Sequence, residues 1–163
     1  MLVNNAAVFL GKPFAETTDD EWDLLMDTNV KSAFRHSREA IPHMLEQGSG
    51  AVVNVASISG LVGLPDQLAY CATKGAIVQI TRQVAIQHAR DGVRVNAVAP
   101  GAIRGNFVPG ATDEQWDEIG AGHPIGRVAA SEEIAAVIVF LTSPAASFVS
   151  GSIVAADGAY TAR

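Results

Sequence analysis

The stretch "GAVVNVAS", residues 50–57, is a nearly continuous run of small and β-branched side chains that ends in a polar serine. A strand that is apolar on both faces, instead of alternating, is typical of a parallel sheet with helices on both sides. The segment therefore predicts a buried strand and puts Ser57 at its carboxyl end. In open parallel sheets the chemistry lies beyond such ends.

Outward from this strand, strands and helices alternate along the chain. Thr18 and Glu21 fit a capping box, Pro42 should kink or fray the end of its helix, and Gly92 is a helix stop signal. The predicted strands are 1–6, 50–57, 93–101 and 151–158; the predicted helices are 17–45, 66–91, 112–119 and 131–143, and the rest of 102–128 is predicted to be irregular. This order predicts an α/β fold: a partial Rossmann-like, doubly wound parallel sheet of about four strands with crossover helices. Nothing divides the chain, so 1–163 is predicted to be a single domain.

Composition excludes several classes of protein. The net charge is −6 and no Lys/Arg cluster exceeds a pair, so no nucleic-acid partner is expected. No apolar run approaches the ~20 residues that span a bilayer, and the N-terminus lacks the pattern of a secretion signal. The single Cys71 suits a reducing cytosol, and the four histidines lack ligand-like spacing. We expect a cytoplasmic protein without a membrane partner or a metal site.

A phenol and an amine lie four positions apart in "AYCATKGA", residues 69–76. Tyr70 and Lys74 therefore stack on one face of the predicted helix, and the 13-residue step from Ser57 can bring that helix back to the strand end. Taken alone, the pair could be an ordinary amphipathic contact with a snorkelling lysine, and Ser57 could be a turn cap. Asn29 could likewise make only local bonds.

Together these segments carry a family resemblance. The segments "NNA", "TN", "NVASISG", "YCATK" and "VRVNAVAPGAI", followed by "GSIVAADG", resemble in that order the short-chain dehydrogenase/reductase family. The resemblance runs from Leu2 to about Tyr160 and implies the C-terminal catalytic half of the family's Rossmann fold. It implies an oxidoreductase that passes a hydride between NAD or NADP and a secondary alcohol or ketone.

The resemblance also implies catalytic roles. Tyr70 would be the general acid/base, Ser57 would hold the substrate oxygen, Lys74 would bind the nicotinamide ribose, and Asn29 would support Lys74 and a proton-relay water. A phenol that works near neutral pH needs its pKa lowered by about 3 units from ~10, or about 4 kcal/mol. An ammonium at ~4 Å can supply up to about that much at an effective dielectric of 20. We therefore expect Lys74 to lower the pKa of Tyr70.

Further positions would touch the cofactor by the same resemblance. The backbone after the third strand would border the nicotinamide, and the end of the first strand would lie beside the adenosine half. The implied cofactor-binding residues are Asn4, Ala6, Tyr70, Lys74, Pro100, Gly101 and Ile103. Trp116 is a candidate for a lid over the substrate.

The chain departs from the family pattern where the cofactor's pyrophosphate would be held. The glycine-rich turn of the family would precede Leu2, Ala7 replaces a usual glycine, and Arg104 and Gly105 stand where a threonine is common. The "GAGHPIG" segment, residues 120–126, is no substitute because no strand precedes it and its proline interrupts a helix. Losing two charge-assisted bonds weakens affinity on the order of 100-fold. We expect NAD(P) binding by this N-terminally truncated chain to be weak or absent.

Two other functions stay open. The chain could be a truncated family member without redox activity of its own: a pseudoenzyme, an assembly module or a gene fragment. Alternatively, the Ser-Tyr-Lys group could carry cofactor-free acid/base or hydrolytic chemistry on a small carbonyl compound. The sequence leaves open the substrate, NAD versus NADP, and the direction of reaction.

The expected sheet also predicts self-association. Its first strand would be an open edge, and one face of strands 51–56 and 93–99 would have at most the 131–143 helix over it. A bare apolar patch of that size marks an interface. We expect a homo-oligomer that uses this edge or face and the 66–91 helix.

Overall fold

The computed structural model describes residues 1–105 and 110–162; residues 106–109, part of the segment predicted to be irregular, lie outside the described residues. The strands are β1 (Leu2–Asn4), β2 (Gly50–Val55), β3 (Val93–Pro100) and β4 (Ile153–Ala156). The α-helices are α1 (Asp19–Leu25), α2 (Ser32–Glu46), α3 (Leu68–His88), α4 (Asp113–Ala121) and α5 (Ser131–Thr142). A π-helix, Met26–Lys31, joins α1 to α2.

The strands form one parallel sheet in the order β1-β2-β3-β4. Side chains alternate across the sheet, so neighbouring residues of β2 reach opposite layers. Val52 packs with Ile41 of α2 and Ala85 of α3, whereas Val53 packs with Leu141 of α5. The predicted α/β architecture with a parallel, Rossmann-like sheet is confirmed.

Local signals set most of the helix boundaries. Thr18 and Glu21 form the predicted capping box: the Glu21 carboxylate accepts from the Thr18 amide at 2.9 Å, and the Thr18 hydroxyl accepts from the Glu21 amide at 3.3 Å. Gly92 closes the turn after α3 with φ +80°, a left-handed conformation that glycine adopts without strain. Helix α2 continues past Pro42 to Glu46, so the helix does not fray at this proline.

The second face of the sheet is better covered than the sequence suggested. Helix α5 buries Val53 and Val98 completely, at 0% exposure, so the expectation of a large bare patch on the central strands is wrong. The exposed apolar side chains in this region are Val3, on the edge strand, and Val139 and Phe140, on α5. Among the helices of residues 1–105 and 110–162, none is both long enough and apolar enough to cross a membrane.

Candidate active site

A cavity of about 690 Å³ opens beyond the carboxyl ends of β2 and β3. One wall is the segment after β2, where the Ser57 hydroxyl accepts from the Ser59 amide at 3.1 Å and caps the short helix Ile58–Gly60. The opposite wall is the backbone that leaves β3. The first turns of α3 form the floor, and α4 closes part of the opening. The cavity lies where parallel sheets place ligands.

Tyr70 and Lys74 both line this cavity from α3, and both are buried, at 8% and 3% exposure. The Lys74 ammonium donates to the carbonyl oxygen of Val55 at 2.8 Å, and its Nζ lies 5.5 Å from the centre of the Tyr70 ring. The ring also meets Phe9 edge-on at 5.0 Å. The amine is therefore inside the site and held by the end of β2.

Burial raises the pKa of Tyr70 to about 12, because the phenolate would lose its solvent. A hydrogen bond with Ser57 opposes this rise, and the neighbouring Cys71 adds to it. The expectation that Lys74 brings the pKa of Tyr70 below its ordinary value is therefore wrong for this structure. The loss of solvent raises the pKa of Tyr70 more than any attraction to Lys74 lowers it.

The same burial acts on the amine with the opposite sign. It lowers the pKa of Lys74 to about 8, because the charged form is the one that loses solvent. The shift from the ordinary 10.5 corresponds to about 3 kcal/mol. At neutral pH both Tyr70 and Lys74 keep their protons, so the pair can donate protons more readily than accept them.

Asn29 does not line the cavity. Its side chain accepts from the Val8 amide at 2.7 Å and donates to the Val8 carbonyl at 2.9 Å and to the Thr73 hydroxyl at 3.2 Å. It sits in the π-helix, a distortion that often occurs near functional sites. These bonds hold the segment that carries Phe9 against α3, whereas Lys74 bonds to Val55. A direct role in supporting Lys74 stays a prediction.

The residues implied in cofactor binding divide into two groups. Pro100, Gly101 and Ile103 line the cavity together with Tyr70 and Lys74. At the end of β1, the neighbours Asn5 and Ala7 line it in place of Asn4 and Ala6.

The Asn4 side chain turns into the core, where it donates to Ser37 at 3.1 Å and to Asn54 at 2.8 Å. Which of two successive residues faces the cavity depends on strand register, which the sequence did not specify. Contact of Asn4 and Ala6 with a cofactor stays a prediction.

The sequence analysis had assigned no function to Phe9, Gln67 and His123, which are among the lining residues. Gln67 accepts from the Ser59 hydroxyl at 3.0 Å and so ties the turn after β2 to the start of α3. His123 lies in the "GAGHPIG" segment, which the sequence analysis rejected as a phosphate-binding loop. Trp116, the predicted lid residue, does line the cavity from α4.

The chain matches a family model described as "Enoyl-(Acyl carrier protein) reductase" over residues 1–161. It is 40% identical to meso-2,3-butanediol dehydrogenase of Serratia marcescens, over 99% of this chain and 64% of that protein. It is 43% identical to an inactive 2-(S)-hydroxypropyl-CoM dehydrogenase of Xanthobacter autotrophicus, over 99% of this chain and 73% of that protein.

A solved structure gives the same picture in three dimensions. A gluconate 5-dehydrogenase of Burkholderia cenocepacia in complex with NADP and tartrate superposes with a TM-score of 0.94 at 28% identity, covering 99% of this chain and 65% of that one. The chain thus spans about two thirds of the length of the proteins that it matches.

Proposed function

The chain belongs to the short-chain dehydrogenase/reductase family, and on this premise we propose that it transfers a hydride between NAD(P) and a small carbonyl compound or secondary alcohol. The observation that carries the proposal is the convergence of Ser57, Tyr70 and Lys74 on one cavity. A hydroxyl, a phenol and an amine at a strand end supply a site that can bind an oxygen atom and exchange its proton.

The lining residues fit the nicotinamide end of such a cofactor. The cavity volume is within the range of small-molecule sites. The backbone at Pro100, Gly101 and Ile103 would border the nicotinamide. Lys74 would reach the ribose. When bound, the nicotinamide supplies or accepts the hydride, and the remaining work is proton handling by the protein.

Tyr70 is suited to give a proton. Its raised pKa keeps the phenol neutral at physiological pH, and a forming alkoxide is a far stronger base than a phenolate. As a hydride adds to the carbonyl carbon, the C=O electron pair moves to oxygen, and that oxygen takes the phenol proton. Ser57 holds the same oxygen by a hydrogen bond, and the Lys74 ammonium stabilises the phenolate left behind. We therefore expect carbonyl reduction to be the favoured direction near pH 7.

Cofactor affinity of this chain alone is expected to be weak. The Lys and Arg side chains among the described lining residues are Lys74, bonded to Val55, and Arg104, paired with Asp113. Either one would have to give up its present contact to meet a pyrophosphate. The binding free energy gained by exchanging one contact for another should be smaller than that of a dedicated phosphate site.

A second candidate is a protein without redox activity of its own. The relative from Xanthobacter autotrophicus, 43% identical, is itself described as inactive, so the family fold does not require turnover. The cofactor-free alternative has less support, because a buried phenol with a raised pKa is a poor base.

Titration with NADPH and NADH, followed by cofactor fluorescence, tests the proposal first. Turnover is then measured with diacetyl and cyclopentanone, ketones chosen because butanediol and cyclopentanol dehydrogenases are among the relatives. Tyr70→Phe should lose about 100-fold or more in turnover while the dissociation constant for NADPH stays within about twofold. Equal turnover in Tyr70→Phe and wild type would refute the assigned role, and no binding of either cofactor at millimolar concentration would favour the second candidate.

We also propose that the chain forms a homo-oligomer, because members of the family commonly form oligomers. Two exposed apolar surfaces support it: the side of α3 at Ile86, 84% exposed, and the side of α5 at Val139, 65% exposed. The open edge at β1 offers a third route.

A further inference from the structure

His123 is a buried side chain, 6% exposed, whose two ring nitrogens face different backbone groups. Nε2 lies 3.1 Å from the Ala102 amide nitrogen, which donates to it. Nδ1 lies 3.2 Å from the carbonyl oxygen of Ile119, which can only accept. These partners are compatible with one form of the ring: a neutral imidazole that carries its proton on Nδ1.

The two partners belong to different parts of the cavity lining. Ala102 follows β3 in the segment that carries Gly101 and Ile103, and Ile119 belongs to α4, which carries Trp116. A backbone bond also holds the Ala102 segment: the Ala129 amide donates to the Ala102 carbonyl at 2.9 Å. The imidazole is thus a buried side-chain link between α4 and the segment after β3, in addition to the exposed ion pair of Arg104 with Asp113.

The fit around this ring is close. A Cβ added to Gly101 would lie 2.7 Å from Nε2 of His123, and the ring packs against Tyr160 at 5.0 Å between centroids. The imidazole fills this space, accepts a hydrogen bond at one end and donates one at the other. An apolar residue in its place would leave the Ala102 amide unpaired.

We propose that His123 is a positioning residue: as a neutral, Nδ1-protonated imidazole it sets the spacing between α4 and the backbone at Ala102, and so the shape of the cavity. Protonation at Nε2 turns the acceptor into a donor that faces the Ala102 amide and breaks the link. The consequence for cofactor and substrate rests on the proposed function, whereas the link itself does not.

Three charged groups near the ring are engaged elsewhere. The Asp157 carboxylate accepts from the Ala159 amide and from the amide and hydroxyl of Thr161. Arg127 and Glu133, which share a second, smaller cavity with His123, form a two-point ion pair at 2.7 Å. Five further groups that can ionise line the larger cavity with the ring: Tyr70, Lys74, Arg104, Glu118 and Tyr160.

Two variants separate the roles of the two nitrogens. His123→Gln keeps an acceptor at the ε position for the Ala102 amide, whereas His123→Asn reaches only as far as the δ position. The experiment is amide hydrogen exchange by NMR on the ¹⁵N-labelled chain, with the Ala129 amide as an internal control. We expect Ala102 to exchange about 10-fold faster in His123→Asn, with little change in His123→Gln and none at Ala129.

A ¹⁵N spectrum of the ring adds a readout that a merely structural role would not move, and it should show a neutral ring protonated on Nδ1. Equal protection of Ala102 in wild type and His123→Asn, or a ¹⁵N spectrum with the neutral ring protonated on Nε2, would overturn the proposal.

The link to activity is a separate measurement. If the chain turns over with NADPH, His123→Asn should raise the KM for NADPH or the probe ketone several-fold and leave kcat nearly unchanged, and His123→Gln should restore it. An unchanged KM in His123→Asn would show that the link affects the structure of the protein but not the binding of cofactor or substrate. Failure of NADPH to bind at all would refute the proposed function and leave the exchange results to decide on His123.

Discussion

The backbone of Gly60 lies directly on the backbone of Lys74. A Cβ at Gly60 would come within 2.6 Å of the Lys74 carbonyl oxygen, closer than real Cβ contacts allow. Gly60 ends the short helix that Ser57 caps, and Lys74 is on the floor of the cavity. This contact therefore sets how far the serine hydroxyl stands from the phenol and amine of α3.

Gly60→Ala should destabilise the protein. The added methyl group meets backbone and not a flexible side chain, so the turn must move away from α3, at about 1–3 kcal/mol. Urea unfolding measures the change. Gly63→Ala is the matched control, because nothing lies within 4 Å of a Cβ at that position. A Gly60→Ala protein as stable as Gly63→Ala would mean that the turn is free to shift.

The free energy of unfolding should rise with pH between about 8 and 10.5. In that interval the unfolded chain keeps a proton on Lys74 that the folded protein has lost, because the folded pKa is about 8 and the ordinary value is 10.5. The full rise is about 3 kcal/mol. Above pH 10 the raised pKa of Tyr70 acts in the opposite sense, since the folded protein then keeps a proton that the unfolded chain loses.

Lys74→Met tests this assignment by chemical unfolding at pH 7 to 10. The variant should lack the rise, and Lys31→Met, at an exposed lysine paired with Asp27, should retain it. The same slope in wild type and Lys74→Met would place the titrating group elsewhere.

Asn29→Ala should cost about 3 kcal/mol of stability. The change leaves the half-buried amide and carbonyl of Val8 without their side-chain partner, and each unpaired group costs about 1–3 kcal/mol. Phe9 then loses its fixed position against Tyr70. The measurement is urea unfolding, with Asn5→Ala, at an exposed asparagine, as control. A loss no larger than that of Asn5→Ala would show that water replaces the lost bonds.

Self-association can be assigned to a surface by light scattering at micromolar concentration. Ile86→Lys should dissociate an oligomer that uses α3, and Val139→Lys one that uses α5, because a buried, unpaired ammonium opposes association. Lys substitutions at these exposed positions should leave the fold intact. A monomeric wild-type chain would contradict the proposed oligomer outright.

Much of the fold could be predicted because its signals are local. The uninterrupted apolar run 50–57 predicted a strand buried on both faces, and Thr18 with Glu21 predicted a helix start that the structure confirms. The π-helix at Met26–Lys31 was not predictable, since its register change depends on the bonds that Asn29 makes to Val8. The cover that α5 places over Val53 also depends on packing between distant segments.

For the candidate site, residue types and spacing were enough to bring Ser57, Tyr70 and Lys74 together, because strand ends and helical stacking follow from chain geometry. The sequence alone therefore determined that these three groups line one cavity. Only the tertiary structure decided their chemistry: burial, which the order of residues does not record, raises one pKa and lowers the other. It also decided that Asn5 and not Asn4 lines the cavity, and that His123 contacts both Ala102 and α4, because both depend on how remote backbone segments lie against each other.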